Sequence, residues 1–259
     1  MWKDSSPDDR GKVAGTQTIL RALAVLRVLR DADGEVGVTE IARAVGLNTS
    51  TTHRIVRALA GAGFVAQNAR TERYRLGREA FLLGSAAGRT LGFDAAKPVL
   101  EELSEATGES VNLVIRDGDA GLVVVRIESP QPLRFTETVG ARIPLYCTST
   151  GKALLAFAMD PAAEVAALGG LERLTPATIT SPDDLLEDLE RVRRRGYSHN
   201  RGERLPGVCG VAAPILGEGG TATAALAVQG PEVRIPDDRV PELGSLVVKA
   251  AERVAAAMW

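Results

Sequence analysis

Residues 39–60 admit few folds. Ile41, Ala42 and Val45 share one face of a short helix for which Thr39 is the expected N-cap, and Gly46 stops it. A second apolar stripe, Ile55, Val56 and Leu59, begins almost at once within a helix expected over 50–60, capped by Asn48 or Thr49. Two short helices joined through the tight turn Gly46-Leu47-Asn48-Thr49 make a helix-turn-helix. Small Ala42 lets the helices cross closely, Gly46 supplies the turn, and Leu47 plugs the corner.

The outward positions of the second helix are Ser50, Thr51, His53, Arg54 and Arg57, and no acidic residue occurs from 49 to 70. Hydroxyls and helix N-terminal amides suit phosphate oxygens, whereas an arginine fork matches the acceptor edge of guanine in the major groove. A merely solvated helix face usually mixes both signs. Upstream, Ile19, Ala22, Leu23, Leu26 and Leu29 recur at helical spacing and end at the turn cluster 31–34. Downstream, 64–67 and 73–76 read as a hairpin around a polar five-residue turn. Tyr74 and Leu76 point inward there, leaving Arg73 and Arg75 outward beside Arg70 at the tip. A helix-turn-helix followed by a basic hairpin is a winged helix, its wing placed to reach the DNA backbone or minor groove.

The whole-chain net charge of -2 argues little for a nucleic-acid partner, but it hides an asymmetry. Residues 1–93 carry 14 Lys+Arg against 9 Asp+Glu, and residues 94–259 carry 17 against 24, so a net +5 is joined to a net -7. With 259 residues, two domains are expected. Two cysteines, Cys147 and Cys209, exclude a disulfide scaffold, and with His53 and His199 they provide no paired metal-ligand spacing; neither a metal nor a cofactor is expected. No stretch approaches the roughly 18 apolar residues of a membrane span. Residues 1–15 read as a polar, disordered lead-in without the apolar region of a secretory signal. These features suit a protein of the reducing cytoplasm.

A helical period continues through Leu82, Leu83, Ala86, Ala87 and Leu91 to Gly92-Phe93, and Pro98 is expected in the first turn of another helix ending at Thr107-Gly108. The expected division is a DNA-binding domain over 16–77, a linker helix over 78–93 and a larger domain over 94–259. In that last part, 111–115 and 122–127 form a hairpin, 133–139 a further strand, and 211–216 pairs with 221–228. Helices are expected over 150–157, 183–195 and 237–258. Hairpins mixed with helices give an α+β class with an antiparallel sheet.

The motifs resemble those of the IclR-type bacterial transcriptional regulators. In the first third these are Thr18-x-x-Arg21-Ala22-Leu23, the 46–54 turn and helix, Gly63-Phe64-Val65 and Tyr74-Arg75-Leu76-Gly77. In the remainder they are Arg126-Ile-Glu128-Ser129-Pro130, the run 143–153, Arg193-Arg194-x-Gly196-Tyr197, Pro206-Gly207-Val208 with Val211-Ala212-Ala213-Pro214, and Gly230-Pro231. The resemblance covers 16–254. It implies a winged helix-turn-helix, a linker helix and a C-terminal effector domain related to the GAF sensors, assembled as a homodimer or a homotetramer. DNA-facing roles follow for Thr18, Arg21, Thr49, Ser50, Thr51, His53, Arg54, Arg57, Arg70 and Arg73. It further implies that a small organic effector, such as a carboxylic or aromatic acid, is held by Leu133, Cys147, Thr148, Ser149, Thr150, Asn200, Val208, Cys209, Gly210, Ala227 and Gln229. Asn200 stands where the family often has an acid, and Gly210 where a small residue or cysteine precedes Val-Ala-Ala. The expected function is therefore a ligand-responsive regulator that reads a pseudo-palindromic operator, with no catalytic role.

One enzymatic alternative uses Cys147, His199 and Asn200 as a Cys-His-Asn hydrolase set, with the following helix N-terminus lowering the Cys147 pKa. Ser149-Thr150-Gly151-Lys152 and Gly217-Glu218-Gly219-Gly220 resemble phosphate loops only superficially.

Overall fold

The computed structural model describes residues 16–135 and 137–258; the lead-in expected over 1–15 lies outside them. The chain parts at Gly88–Arg89 into two compact units.

The first unit contains α1 (Thr16–Arg30), α2 (Val38–Ala44), α3 (Thr49–Gly61), β1 (Val65–Gln67) and β2 (Tyr74–Leu76), and most of α4 (Arg78–Thr90). Val25, Leu29, Ile41, Ile55, Val56, Val65 and Tyr74 form its buried core, so the stripes of α2 and α3 point inward, whereas Ile19 and Leu23 of the α1 stripe stay exposed. Gly46 adopts φ 66°, and the Leu47 N–H donates to the Ala42 carbonyl at 2.9 Å, closing the turn. Asn48 Oδ1 caps α3 by accepting from the Thr51 N–H at 2.8 Å. β1 and β2 pair antiparallel, and Val36 bridges to Tyr74 alongside them. Thr39 is not a cap: α2 starts at Val38, and Glu40 Oε2 reaches back to accept from the Gly37 N–H at 3.0 Å. That carboxylate satisfies the N–H of Gly37, the residue that stands at the N-cap, while Thr39 lies within the first turn.

The second unit contains α5 (Phe93–Thr107), β3 (Ser110–Asp117), β4 (Ala120–Ile127), β5 (Arg142–Pro144), α6 (Ser149–Ala156), α7 (Pro161–Ala167), α8 (Pro182–Arg195), β6 (Ser198–Arg201), β7 (Val208–Leu216), β8 (Ala222–Pro231) and α9 (Val240–Met258). The strands form one antiparallel sheet in the order β5-β4-β3-β8-β7-β6. Strand alternation sends Val211, Ala213, Leu226 and Val228 into a core with α5 and α9, and Ala212, Ala225 and Ala227 into a second core with α6 and α8. The class is α+β. Among the described residues, no helix is long and apolar enough to cross a membrane.

Three expectations in this unit are corrected. The strand expected over 133–139 does not form among the described residues there. Pro130 and Pro132 interrupt the approach to it, and side chains take up the carbonyls there: Arg234 donates to Leu133 and Ser110 to Phe135. Helix α5 begins at Phe93, placing Pro98 past its first turn. The short β5, β6 and α7, for which the sequence shows no sustained period, are additional elements.

Candidate nucleic-acid interface and ligand cavity

In the first unit, Thr49, Ser50, His53, Arg54 and Arg57 are exposed along α3, while Thr51 is half-buried. Thr52 is fully buried and ties its hydroxyl to the Asn48 carbonyl at 3.1 Å, which orients the neighbouring side chains outward. Ser50 Oγ donates to Asn48 Oδ1 at 2.9 Å. Thr18 is exposed at the start of α1, and Arg21 is half-buried. Arg70 is exposed at the hairpin tip, where its N–H donates to Asn68 Oδ1 at 2.9 Å. Arg73 does not project freely, contrary to its outward assignment. Its Nη2 pairs with Glu40 at 2.7 Å and its Nε donates to the Glu35 carbonyl at 2.9 Å, so it clamps the wing to α2.

In the second unit, Thr148, Ser149, Asn200, Val208, Cys209, Gly210 and Gln229 line one small cavity of about 20 Å³ that opens to solvent. Four elements, α6, β6, β7 and β8, bring these residues together. Thr148 caps α6 by accepting from the Gly151 N–H at 3.2 Å, so the first turn of α6 abuts the cavity. The β6–β7 pairing sets Asn200 opposite Gly210, and the β7–β8 pairing sets Gly210 opposite Gln229. Gly210 is required for the close approach, because a Cβ there would lie 2.6 Å from Ser149 Oγ. Ser149 Oγ is itself buried without a hydrogen-bond partner. Gln229 Oε1 accepts from Asn112 Nδ2 at 2.7 Å.

Four expected residues do not line this cavity. Leu133 is 65% exposed and held elsewhere through its carbonyl; Phe135, two residues on, lines the wall instead. Thr150 and Ala227 are completely buried, and Cys147 lies in the core beneath α6. The sequence reading missed Phe135, Arg204 and Leu205 on the wall. Arg204 and Leu205 lie just before the quoted Pro206-Gly207-Val208 motif, so extending that motif by two residues would have found them.

The Cys-His-Asn alternative fails on geometry and charge. Asn200 Nδ2 donates to the Cys147 carbonyl rather than its thiol, and Asn200 Oδ1 accepts from the Glu203 N–H at 3.1 Å. Burial, then the Glu203 carboxylate, push the Cys147 thiol up to about 11, opposite to the lowering expected from the helix N-terminus. Burial, then the Lys152 cation, press His199 down to about 4. Neither group is tuned as nucleophile or base near neutral pH.

Residues 18–69 match the IclR helix-turn-helix domain, and residues 89–256 match the bacterial transcriptional regulator IclR C-terminal domain. The chain is 34% identical over 245 residues to the transcriptional repressor IclR of Escherichia coli, covering 93% of this chain and 89% of that one. It resembles a crystal structure of an IclR transcriptional regulator from Alicyclobacillus acidocaldarius with a TM-score of 0.85 and 26% identity, over 94% of this chain and 99% of that one. An IclR homologue from Microbacterium hydrocarbonoxydans, complexed with 4-hydroxybenzoate, matches with a TM-score of 0.82 and 25% identity, over 93% and 98%. With both domains matched in order along nearly the whole chain, the protein belongs to the IclR family of DNA-binding transcriptional regulators, with an N-terminal helix-turn-helix and a C-terminal effector-binding domain.

Proposed function

We propose that this regulator reads a pseudo-palindromic operator as a cytoplasmic, non-catalytic dimer through α3, and that a small organic acid in the Thr148–Ser149–Asn200 cavity alters that binding. The observation carrying the DNA reading is the exposed, acid-free face of α3, on which Arg54 and Arg57 stand one turn apart behind a capped N-terminus. The complex of the Microbacterium relative with 4-hydroxybenzoate and the unpartnered Ser149 hydroxyl beside the α6 N-terminus support an organic anion as effector. Dimerisation is supported by large apolar side chains left outside the first core, Ile19 and Leu23 on α1 and Phe81 and Leu83 on α4.

Gel shifts on DNA upstream of the gene, with and without a panel of small organic acids, test this reading. Arg54→Ala and Arg57→Ala each weaken the complex by about 10- to 100-fold, matching the roughly 1–3 kcal/mol of a bidentate base contact. Unchanged shifts for both variants would remove α3 from the DNA.

A further inference from the structure

Among the described residues lining the cavity, Arg204 is the one that carries a charge. Its guanidinium is already engaged: Nη1 is paired with Glu137 Oε2, with the two side chains 25% and 13% exposed. Glu137 belongs to the connection between β4 and β5, where Arg126 Nη1 donates to its carbonyl at 3.0 Å. Phe135, on the cavity wall, has its carbonyl held by Ser110 Oγ at 2.7 Å. The connection therefore presents the Glu137 carboxylate to the cavity's one cation. The neighbouring arginines have other partners: Arg126 pairs with Glu128 at 2.6 Å and Arg234 with Glu109 at 2.6 Å.

We propose that Arg204 anchors the carboxylate of the effector and that Glu137 is its resident competitor, so that a small monocarboxylic acid enters by replacing one carboxylate with another on the same guanidinium. This rests on the cavity being the effector site. Charge arithmetic favours exchange over addition, because two carboxylates crowded on one partly buried guanidinium repel each other. A neutral ligand has no means of displacing Glu137, because it offers the guanidinium no charge-assisted bond in return. Binding of an acid releases Glu137, which carries occupancy of the cavity into the β4–β5 connection. The unpartnered Ser149 hydroxyl is left for the remainder of the ligand. The acid's apparent affinity is lowered by the displacement, and discrimination between an acid and its amide is set by Arg204.

Calorimetric titration of the full chain with benzoate and 4-hydroxybenzoate, each against its neutral amide, tests the exchange. Glu137→Gln is expected to bind at least one acid about ten-fold tighter than the parent chain does, with amide binding unchanged. The double variant Glu137→Gln, Arg204→Gln loses that gain. No gain for either acid, including no binding at all, overturns the exchange, as does an equal gain for the amides. Val208→Trp separates the two readings. If it abolishes acid binding while Glu137→Gln changes nothing, the cavity is the effector site and the exchange fails. Acids that bind Val208→Trp as well as the parent chain defeat both.

Discussion

Lys152 is 1% exposed, yet its ammonium is fully used: Nζ donates to the His199 carbonyl at 2.7 Å and to Glu203 at 2.6 Å, and pairs with Asp188 at 2.9 Å. Burial pushes the Glu203 carboxyl up against the pull of Lys152. In Asp188 the same burial is outweighed by Lys152 and Arg191, and the carboxyl falls. In the sequence, Lys152 was legible only within the run 143–153 and the superficially phosphate-loop-like 149–152, because its partner Glu203 lies 51 residues away. His199 records the result: its folded pKa near 4 lies below the ordinary 6.5, so between those values the unfolded chain binds more protons. Stability contributed by neutral His199 is present above pH 6.5 and is lost as pH falls towards 4, at about 1.4 kcal/mol per pH unit for one proton. The raised Glu203 carboxyl works in the opposite direction, so the comparison must be with a variant. His199→Gln should show a shallower loss of stability than the parent chain between pH 6.5 and 4.5 in denaturant melts. Parallel curves would mean that His199 does not titrate as a buried neutral group.

At the scale of elements, legibility followed the length and purity of the hydrophobic period. The stripes of α1, α3, α8 and α9 and the β3–β4 and β7–β8 pairs could be read because each repeats over several turns or faces. β5 and β6 span three and four residues, too few for a period, and exist because neighbouring strands offer them a ladder. The segment at 133–139 had strand-like residues, but the carbonyls of Leu133, Phe135 and Glu137 are taken by arginine and serine side chains instead of by another strand. The cavity was partly legible only through the family resemblance, which assigns Ser149, Asn200, Gly210 and Gln229 by position beside its motifs, whereas Phe135 and Arg204 lie on loops outside them. Asn48 shows how much one local signal can specify. Its side-chain oxygen takes the Thr51 N–H and the Ser50 hydroxyl together, fixing the end of α3 that would meet DNA first. Asn48→Ala should cost about 1 kcal/mol. It should also weaken operator binding more than melting alone explains, read by gel shift at a temperature where both proteins remain folded. Operator affinity equal to that of the parent chain would remove the cap from the DNA-reading apparatus.

Across the molecule, the uneven charge and the uncovered apolar surface bear on one question, how a small recognition helix gains enough affinity. A single helix reaches only a few base pairs, and specific affinities of roughly 10 pM to 10 nM require duplication on a symmetric site. The net +5 of residues 1–93 is modest for one copy, so a second copy would double the phosphate contacts and steepen the salt dependence. The first unit leaves Phe81 at 73%, Ile19 at 61% and Leu83 at 59% exposure on α1 and α4, apolar groups that the first core does not use. If a second copy covers these groups, a charge placed among them separates the copies without touching α3. Phe81→Glu should lower the mass of the species in sedimentation at micromolar concentration and weaken operator binding by more than 100-fold. It should also roughly halve the slope of log affinity against log salt, because that slope counts phosphates neutralised, at about 0.9 per contact. A mutation that only loosened folding would lower the active fraction and leave the slope unchanged. Full mass and an unchanged slope in Phe81→Glu would place the subunit contact elsewhere.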